Sequence, residues 1–293
     1  MQRLWNSGGL LLALAMLFWA GNSVVGRAVN ADIPPIGLAF WRWVAAAVLI
    51  APLAWPHVRR DWDELKRHRV LLAFMALLGL AGFNALLYTA LHTTTAINTV
   101  LLQSATPPLI FLCSFALYRE RPNLWQVAGL VVALAGVAVI VSLGHPMALL
   151  SLQLNVGDGL MLIAVAGYAL YSALLRHKPK VHPLSFLAAT CALSVLVLAP
   201  LYVAEHLGGH EMPVDAPTLA ALAYVAIFPS ILAYLFFNRG VELLGANRAG
   251  QFMNLMPGFG ALLAVVFVHE SLQAYHGVGL LLIAGGIVLS SRR

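Results

Sequence analysis

Residues 7–28 read SGGLLLALAMLFWAGNSVVGRA and decide the fold. A helix this long, at 1.5 Å rise per residue, spans the roughly 30 Å apolar core of a bilayer. The pattern returns at residues 157–176, GDGLMLIAVAGYALYSALLR, at an offset of 149. Trp19, Ala20, Ser23 and Arg27 fall on Tyr168, Ala169, Ser172 and Arg176, and Pro34 falls on Pro183. An apolar span that occurs twice predicts a membrane protein built from one unit used twice.

Composition points the same way. Of 293 residues, 61% are hydrophobic and only 10% charged, with a mean hydropathy of +0.87. A soluble domain carries about 25% charged residues, so too little polar surface remains here to face water. Ten apolar runs are long enough to span: about 7–28, 36–55, 70–91, 95–117, 123–143, 157–176, 184–204, 217–238, 247–268 and 272–291. Short polar loops with Pro34-Pro35, Pro56, Pro122, Pro179 and Pro183 divide them. The longest loop, about 56–69, reads as a charged amphipathic segment lying at the membrane surface. The N-terminus starts like a signal peptide, but the run passes Trp19 with no small-residue cleavage site, which predicts a retained first helix. Cys113 and Cys191 lie inside apolar runs and read as buried small hydrophobes.

The net charge of +6 is read as topology rather than nucleic-acid affinity. Of 17 Lys and Arg residues, 15 fall on the side of the N-terminus: Arg3, five between 59 and 69, Arg119 and Arg121, Arg176, Lys178 and Lys180, Arg239 and Arg248, and Arg292 and Arg293. The positive-inside rule then places both termini in the cytoplasm, which requires an even number of spans.

A second offset, of 150, carries the later runs. Pro107 meets Pro257, Glu120 meets Glu270, Gly129 meets Gly279 and Gly136 meets Gly286. Five helices per copy is an odd number, so the second copy must enter the membrane inverted. The expected fold is an all-α membrane protein of ten transmembrane helices in two inverted five-helix repeats, residues 1–143 and 144–293. Inverted repeats are a transporter architecture, with the substrate site near the midplane between the halves.

Trp19-Ala20-x-Asn22-Ser23, Arg42 in the second run, the paired Pro107 and Pro257, and the Glu120 and Glu270 turns before glycine-rich helices resemble the paired EamA modules of the drug/metabolite transporter superfamily. The resemblance covers nearly the whole chain. Within the superfamily the chain most resembles the aromatic amino acid exporters of bacterial inner membranes (YddG-type). It implies a multi-pass inner-membrane exporter.

Polar side chains inside spans are costly and face a bundle interior or a wet cavity. Trp19 and Asn22 lie one turn apart. Asn84, Tyr88 and His92 follow the i, i+4, i+8 spacing of one helical face. Asn98, Gln103 and Ser104 follow in the fourth run, Tyr168 and Tyr171 in the sixth, Tyr234 and Asn238 in the eighth, and Gln251 and Asn254 in the ninth. Across the repeat, Trp19 and Asn22 superpose on Tyr168 and Tyr171, Asn84 and Tyr88 on Tyr234 and Asn238, and Ser104 on Asn254. Positions polar or aromatic in both copies are expected to face one central cavity lined by helices 1, 3, 4, 6, 8 and 9. The alternative for each Asn and Gln is a bridge between neighbouring helices, at roughly 1 kcal/mol. Arg42 must reach an interface or a partner; a structural role and the anchoring of a substrate carboxylate are both open. Pro107 and Pro257 read as mid-helix hinges.

The eleven acidic residues all fall in loops or near helix ends, so no membrane-embedded carboxylate is evident to exchange a proton for substrate. This predicts facilitated rather than proton-coupled transport, with His92 the site candidate of a type that titrates near neutral pH. Amide and phenol groups among aromatic walls suit a small neutral or zwitterionic solute, aromatic amino acids first. A broader exporter of other amino acids or drug-like metabolites, proton-coupled or not, is the alternative. The sequence carries no paired carboxylates, H-E-x-x-H or glycine-rich phosphate loop, so an enzyme is not expected. His206 and His210 sit around a glycine-containing loop and are not read as a metal site. No cofactor, metal or nucleic acid is expected; the partners are a small-molecule substrate and the lipid bilayer, and the oligomeric state is left open, with a monomer compatible.

Overall fold

The computed structural model describes residues 5–29, 33–94, 99, 102–145, 155–268 and 273–292. Arg3, Asn98 and Glu270 lie outside the described residues, as do the side chains of Ser23 and Arg27. Within them there are helices and no strands. In chain order these are α1 (Gly8–Val29), α2 (Pro35–Arg67), α3 (Arg69–Ala90), α4 (Thr106–Tyr118), α5 (Leu124–Val141), α6 (Val156–Leu174), α7 (Pro183–Leu207) and α8 (Ala216–Leu244). Then come α9, made of Ala246–Gln251, a 3-10 turn Phe252–Asn254 and Leu255–Val268, and α10 (Ala274–Ser290). Seven of them, α1, α2, α3, α5, α6, α7 and α8, are long and apolar enough to cross a membrane.

One boundary differs from the sequence reading. The segment 56–69 is not a separate surface stretch: α2 runs through Pro52 and Pro56 to Arg67, 33 residues in all. At 1.5 Å per residue it exceeds the apolar core by several turns, so its charged last third extends past the hydrocarbon.

Helix pairing is reciprocal. Counting from the offsets, α1 corresponds to α6, α2 to α7, α3 to α8, α4 to α9 and α5 to α10. α1 packs on α8 and α9, while α6 packs on α3 and α4; α2 packs on α7 and α5 on α10. Exchanging the two halves maps this set of pairs onto itself. The α2–α7 pair is tied at both ends by a carboxylate from the partner. Glu205 on α7 accepts from Ile36 N (3.0 Å) and Gly37 N (2.6 Å) at the start of α2. Asp61 on α2 accepts from His182 N (2.8 Å), the residue before α7. Both carboxylates meet unpaired N–H groups at the positive end of a helix dipole. Burial and then the neighbouring His57 lower the pKa of His182. At the start of α8, hydrogen bonds to Thr218 hold the Asp215 carboxyl below the usual carboxylate range.

The α5–α10 pair is a glycine seam. Gly129 and Gly136 lie seven residues apart on one face of α5. A Cβ on Gly129 would strike the Gly286 carbonyl, and one on Gly136 the Gly279 carbonyl; the converse contacts are equally tight. The contacts run in opposite order along the two helices, so they pack antiparallel. Small residues let the backbones meet directly, the usual route to helix association where no hydrophobic drive separates helix from lipid. Gly136→Leu is expected to cost about 1–3 kcal/mol by overpacking. Gly285→Leu, on the same helix pair but with nothing within 4 Å of its Cβ, is expected to leave stability unchanged. Thermal unfolding of the purified protein distinguishes them, and equal melting temperatures would sink the seam.

Candidate functional site

The site is built on two interrupted helices. Residues Ala76–Ala81 of α3 and Ala226–Leu232 of α8 are π-helical, at the same place in the two copies. A π turn shifts the hydrogen-bond ladder and leaves carbonyls to find other partners, which is why such turns gather at functional sites. Each such segment here has a carbonyl met by an aromatic donor. Trp19 Nε1 on α1 donates to the Pro229 carbonyl at 2.9 Å. The Tyr234 hydroxyl on α8 donates to the Gly79 carbonyl. Trp19 then stands edge-on to Tyr168 (5.6 Å, 87°) and Tyr234 (5.4 Å, 75°), with Phe237 at 5.2 Å. Edge-to-face pairing of this kind adds about 0.5–1.5 kcal/mol beyond area burial.

Behind the aromatic wall lies a charge. Arg42 on α2 is 1% exposed. Its Nε donates to Ser230 Oγ (2.7 Å), and its Nη1 donates to Asn84 Oδ1 (2.6 Å), the Tyr88 hydroxyl (2.8 Å) and Asn22 Oδ1 (3.3 Å). The Tyr88 hydroxyl in turn donates to Asn22 Oδ1 at 3.0 Å, and Asn84 Nδ2 donates to the Leu80 carbonyl of the π turn at 2.7 Å. Trp43 lies beside the guanidinium, 5.1 Å from its ring centre. One buried arginine therefore ties together α1, α2, α3 and α8. The interface position considered from sequence is excluded for Arg42 by this burial.

A cavity of about 20 Å³ lies against this group, lined by Trp19, Asn22, Asn84, Gln103, Tyr168 and Tyr234 together with Phe83, Leu87, Met253 and Met256. Its walls come from α1, α3, α6, α8, α9 and the residues before α4. That is room for water-sized groups only, so the space as it stands holds no metabolite. Along α6 and α8, the Tyr171 hydroxyl donates to Asn238 Oδ1 at 2.8 Å. Further along the same two helices lies a larger basin of 610 Å³, lined by Tyr118, Glu120, Arg176, Lys178, Lys180 and Glu242 among others. Ion pairs Glu120–Arg176 and Glu242–Lys178 (2.5 Å) cross it.

The candidates from sequence divide accordingly. Trp19, Asn22, Asn84, Gln103, Tyr168 and Tyr234 line the cavity, Tyr88 holds Arg42 behind it, and Tyr171 and Asn238 stand between cavity and basin. Asn254 is fully buried beside Met253, and neither of its amide atoms has a partner. Gln251 instead spends its Nε2 on the Gln126 carbonyl of α5 at 3.1 Å. His92 is exposed in the turn after α3 and does not join the group. The two prolines differ in place: Pro107 occupies the first turn of α4 rather than a helix middle, while Pro257 lies midway along α9, in the first α-helical turn after the 3-10 segment. A missing N–H costs nothing at a helix start, so there proline marks where a helix begins again after a break. Sequence reasoning passed over Ser230, Phe83, Phe237, Met253 and Met256. The signal for Ser230 was its place next to Pro229 in an apolar run.

Two tyrosines one turn apart are expected to respond oppositely. The Tyr168 hydroxyl is buried without a partner, so Tyr168→Phe removes an unsatisfied group and should leave stability within about 0.5 kcal/mol or raise it. Tyr171→Phe breaks the bond to Asn238 and should cost about 1 kcal/mol. Thermal unfolding of the two variants checks the order; the reverse order would contradict the hydrogen bonding described.

The comparisons with known proteins agree with this architecture. Residues 6–142 and 155–292 each match the EamA-like transporter family. An uncharacterized transporter of Archaeoglobus fulgidus is 28% identical, over 97% of this chain and 97% of its own. The uncharacterized transporter YyaM of Bacillus subtilis is 26% identical, over 88% of this chain and 84% of its own. A crystal structure superposes with a TM-score of 0.80 at 19% identity, over 97% of this chain and 96% of that one, and shares the fold. These names describe transporters rather than enzymes. With the family matched once in each half, the chain belongs to the EamA-like transporter family and is a multi-pass membrane transporter.

Proposed function

We propose that the chain exports small neutral or zwitterionic metabolites, aromatic amino acids first, across a bacterial inner membrane by alternating access around the central cavity. In this reading residues 1–143 and 144–293 are two inverted five-helix repeats, ten spans in all, with both termini cytoplasmic. The carrying observation is the wall of Trp19, Tyr168 and Tyr234 facing Asn22, Asn84 and Gln103 in a space to which both halves contribute. The rings supply faces and edges for an aromatic side chain, and the amides supply donors and acceptors for its polar end. The reciprocal helix pairing and the antiparallel glycine seam support the inverted relation.

Substrate-binding roles go to Trp19, Asn22, Asn84, Tyr88, Gln103, Tyr168, Tyr171, Tyr234, Asn238, Gln251 and Asn254. The breaks at Pro107 and Pro257 serve as joints, since a helix that restarts there bends without losing a ladder bond. His92, exposed in the turn after α3, is given no place in the cavity. Transport is facilitated in this reading: no carboxylate is among the described groups that line the cavity. The adaptable side chains of Met253 and Met256 favour, as a second reading, a broader amphiphile exporter.

Flux of labelled phenylalanine and tryptophan in proteoliposomes tests the reading. Transport is expected with or without a pH gradient; strict dependence on the gradient would overturn facilitated flow, and no flux of either amino acid would shift the assignment to the broader exporter. Trp19→Ala and Asn254→Ala are each expected to cut flux about tenfold, equivalent to ~1.4 kcal/mol of lost binding. Near-normal flux in both would remove the cavity from the pathway.

A further inference from the structure

A buried arginine is ordinarily paired with a carboxylate, because the cost of taking a guanidinium out of water is recovered by an opposite charge. Arg42 has no such partner. Its hydrogen bonds go to one serine, two asparagines and one tyrosine, all neutral, and no ion pair among the described residues includes it. The protein holds a full positive charge just behind the lining of its cavity, and no described residue supplies an opposite charge to it.

The arginine also sets the polarity of that wall. A guanidinium only donates, so Asn22 and Asn84 must turn their carbonyl oxygens toward it. Asn22 Oδ1 is held from two sides, by Arg42 Nη1 and by the Tyr88 hydroxyl. Its amide N–H₂ then points the other way, and Asn22 lines the cavity. No hydrogen bond among the described residues uses Asn22 Nδ2 or Arg42 Nη2. Spare donors and an unmatched charge therefore lie together on this side. Spare acceptors lie elsewhere: Oδ1 of buried Asn254, next to the lining residue Met253, has no partner.

We propose that Arg42 makes the cavity selective for solutes that carry a carboxylate, whose charge completes the pair that the protein leaves open. The proposal rests on the cavity being the transport site, as argued above, and narrows its substrate class. An amino acid presents its carboxylate to Asn22 and Arg42, and Asn254 Oδ1 offers an acceptor for its ammonium. An amine without a carboxylate meets the unmatched guanidinium and is repelled. This favours amino acids over cationic drug-like amphiphiles.

Two ligand ladders test it on the full-length protein in nanodiscs, with affinities taken from ligand-induced shifts in thermal unfolding. One is L-phenylalanine, L-phenylalaninamide and phenethylamine; the other is L-leucine, L-leucinamide and isoamylamine. In the wild type the acid of at least one ladder is expected to bind about 10- to 100-fold more tightly than its amide and amine, the range for a charge-assisted hydrogen bond. In Arg42→Gln that preference should fall to about threefold or less, while Arg42→Lys, which keeps the charge, should retain part of it. The wild-type ladders need no variant, so the proposal is decided even if Arg42→Gln does not fold. Equal binding of acid and amine, binding by none of the six compounds, or full acid preference in folded Arg42→Gln each overturns it. Acid preference in the leucine ladder without phenylalanine binding would sink the aromatic reading and leave this inference standing.

Discussion

Inside an apolar bundle a backbone carbonyl cannot turn to water, and each one left open costs several kcal/mol. That constraint organises the centre of this protein. The π turns of α3 and α8 shift carbonyls out of the regular ladder, and Tyr234 and Trp19 meet two of them, at Gly79 and Pro229. Each donor belongs to the half opposite the carbonyl that it satisfies. The bonds that repair the two helices therefore also join the two halves, beside the Arg42–Ser230, Glu205 and Asp61 bonds, and both donors are cavity walls. Helix integrity, docking of the halves and the shape of the site share these two contacts.

Charges are distributed by the same logic. Carboxylates work at the ends of helices: Asp61 and Glu205 tie α2 to α7, and Glu120 and Glu242 pair with Arg176 and Lys178 across the basin. There, water and helix termini reduce the cost of ionisation. At the centre, amides, a hydroxyl and a phenol surround the buried guanidinium of Arg42, which is solvated by neutral dipoles. Neutral partners satisfy its hydrogen bonds without cancelling its field, which is the basis for the carboxylate selectivity proposed above. An aspartate among those partners would have made a tighter knot and a neutral site.

How far this could be read from the sequence depends on the range of the interaction. Hydropathy and the offsets near 150 marked out apolar runs, and the one-turn spacing of Asn84 and Tyr88 placed them correctly on one face of α3. The same arithmetic fails at His92, because α3 ends at Ala90 and the face does not continue into the turn. Gly129, Gly136, Gly279 and Gly286 stood out as repeated glycines, but that each meets the partner of the other required the packed helices. Pro107 and Pro257 read as interruptions of long runs; only coordinates show that each sits where a helix restarts. The π turns left no periodic trace, since a single widened turn shifts the pattern by one residue and is settled by what packs against it. Ser230 was missed for that reason, and with it the second anchor of Arg42.

The small volume of the cavity bears on how the site works. At about 20 Å³ it is closed around its own side chains, while the basin beyond Tyr171 and Asn238 is 610 Å³. Under the proposed function, the Tyr171–Asn238 bond, a neutral pair of the kind worth about 1 kcal/mol between membrane helices, lies along α6 and α8 between the levels of the cavity and the basin. Separating α6 from α8 there costs little. The Trp19 and Tyr234 bonds to backbone carbonyls join the two halves at the cavity itself, and breaking them costs a bond to each interrupted helix. For the alternating access proposed above, this difference in cost favours opening at Tyr171 while the centre holds, the asymmetry a carrier needs if its two sides are never to be open together.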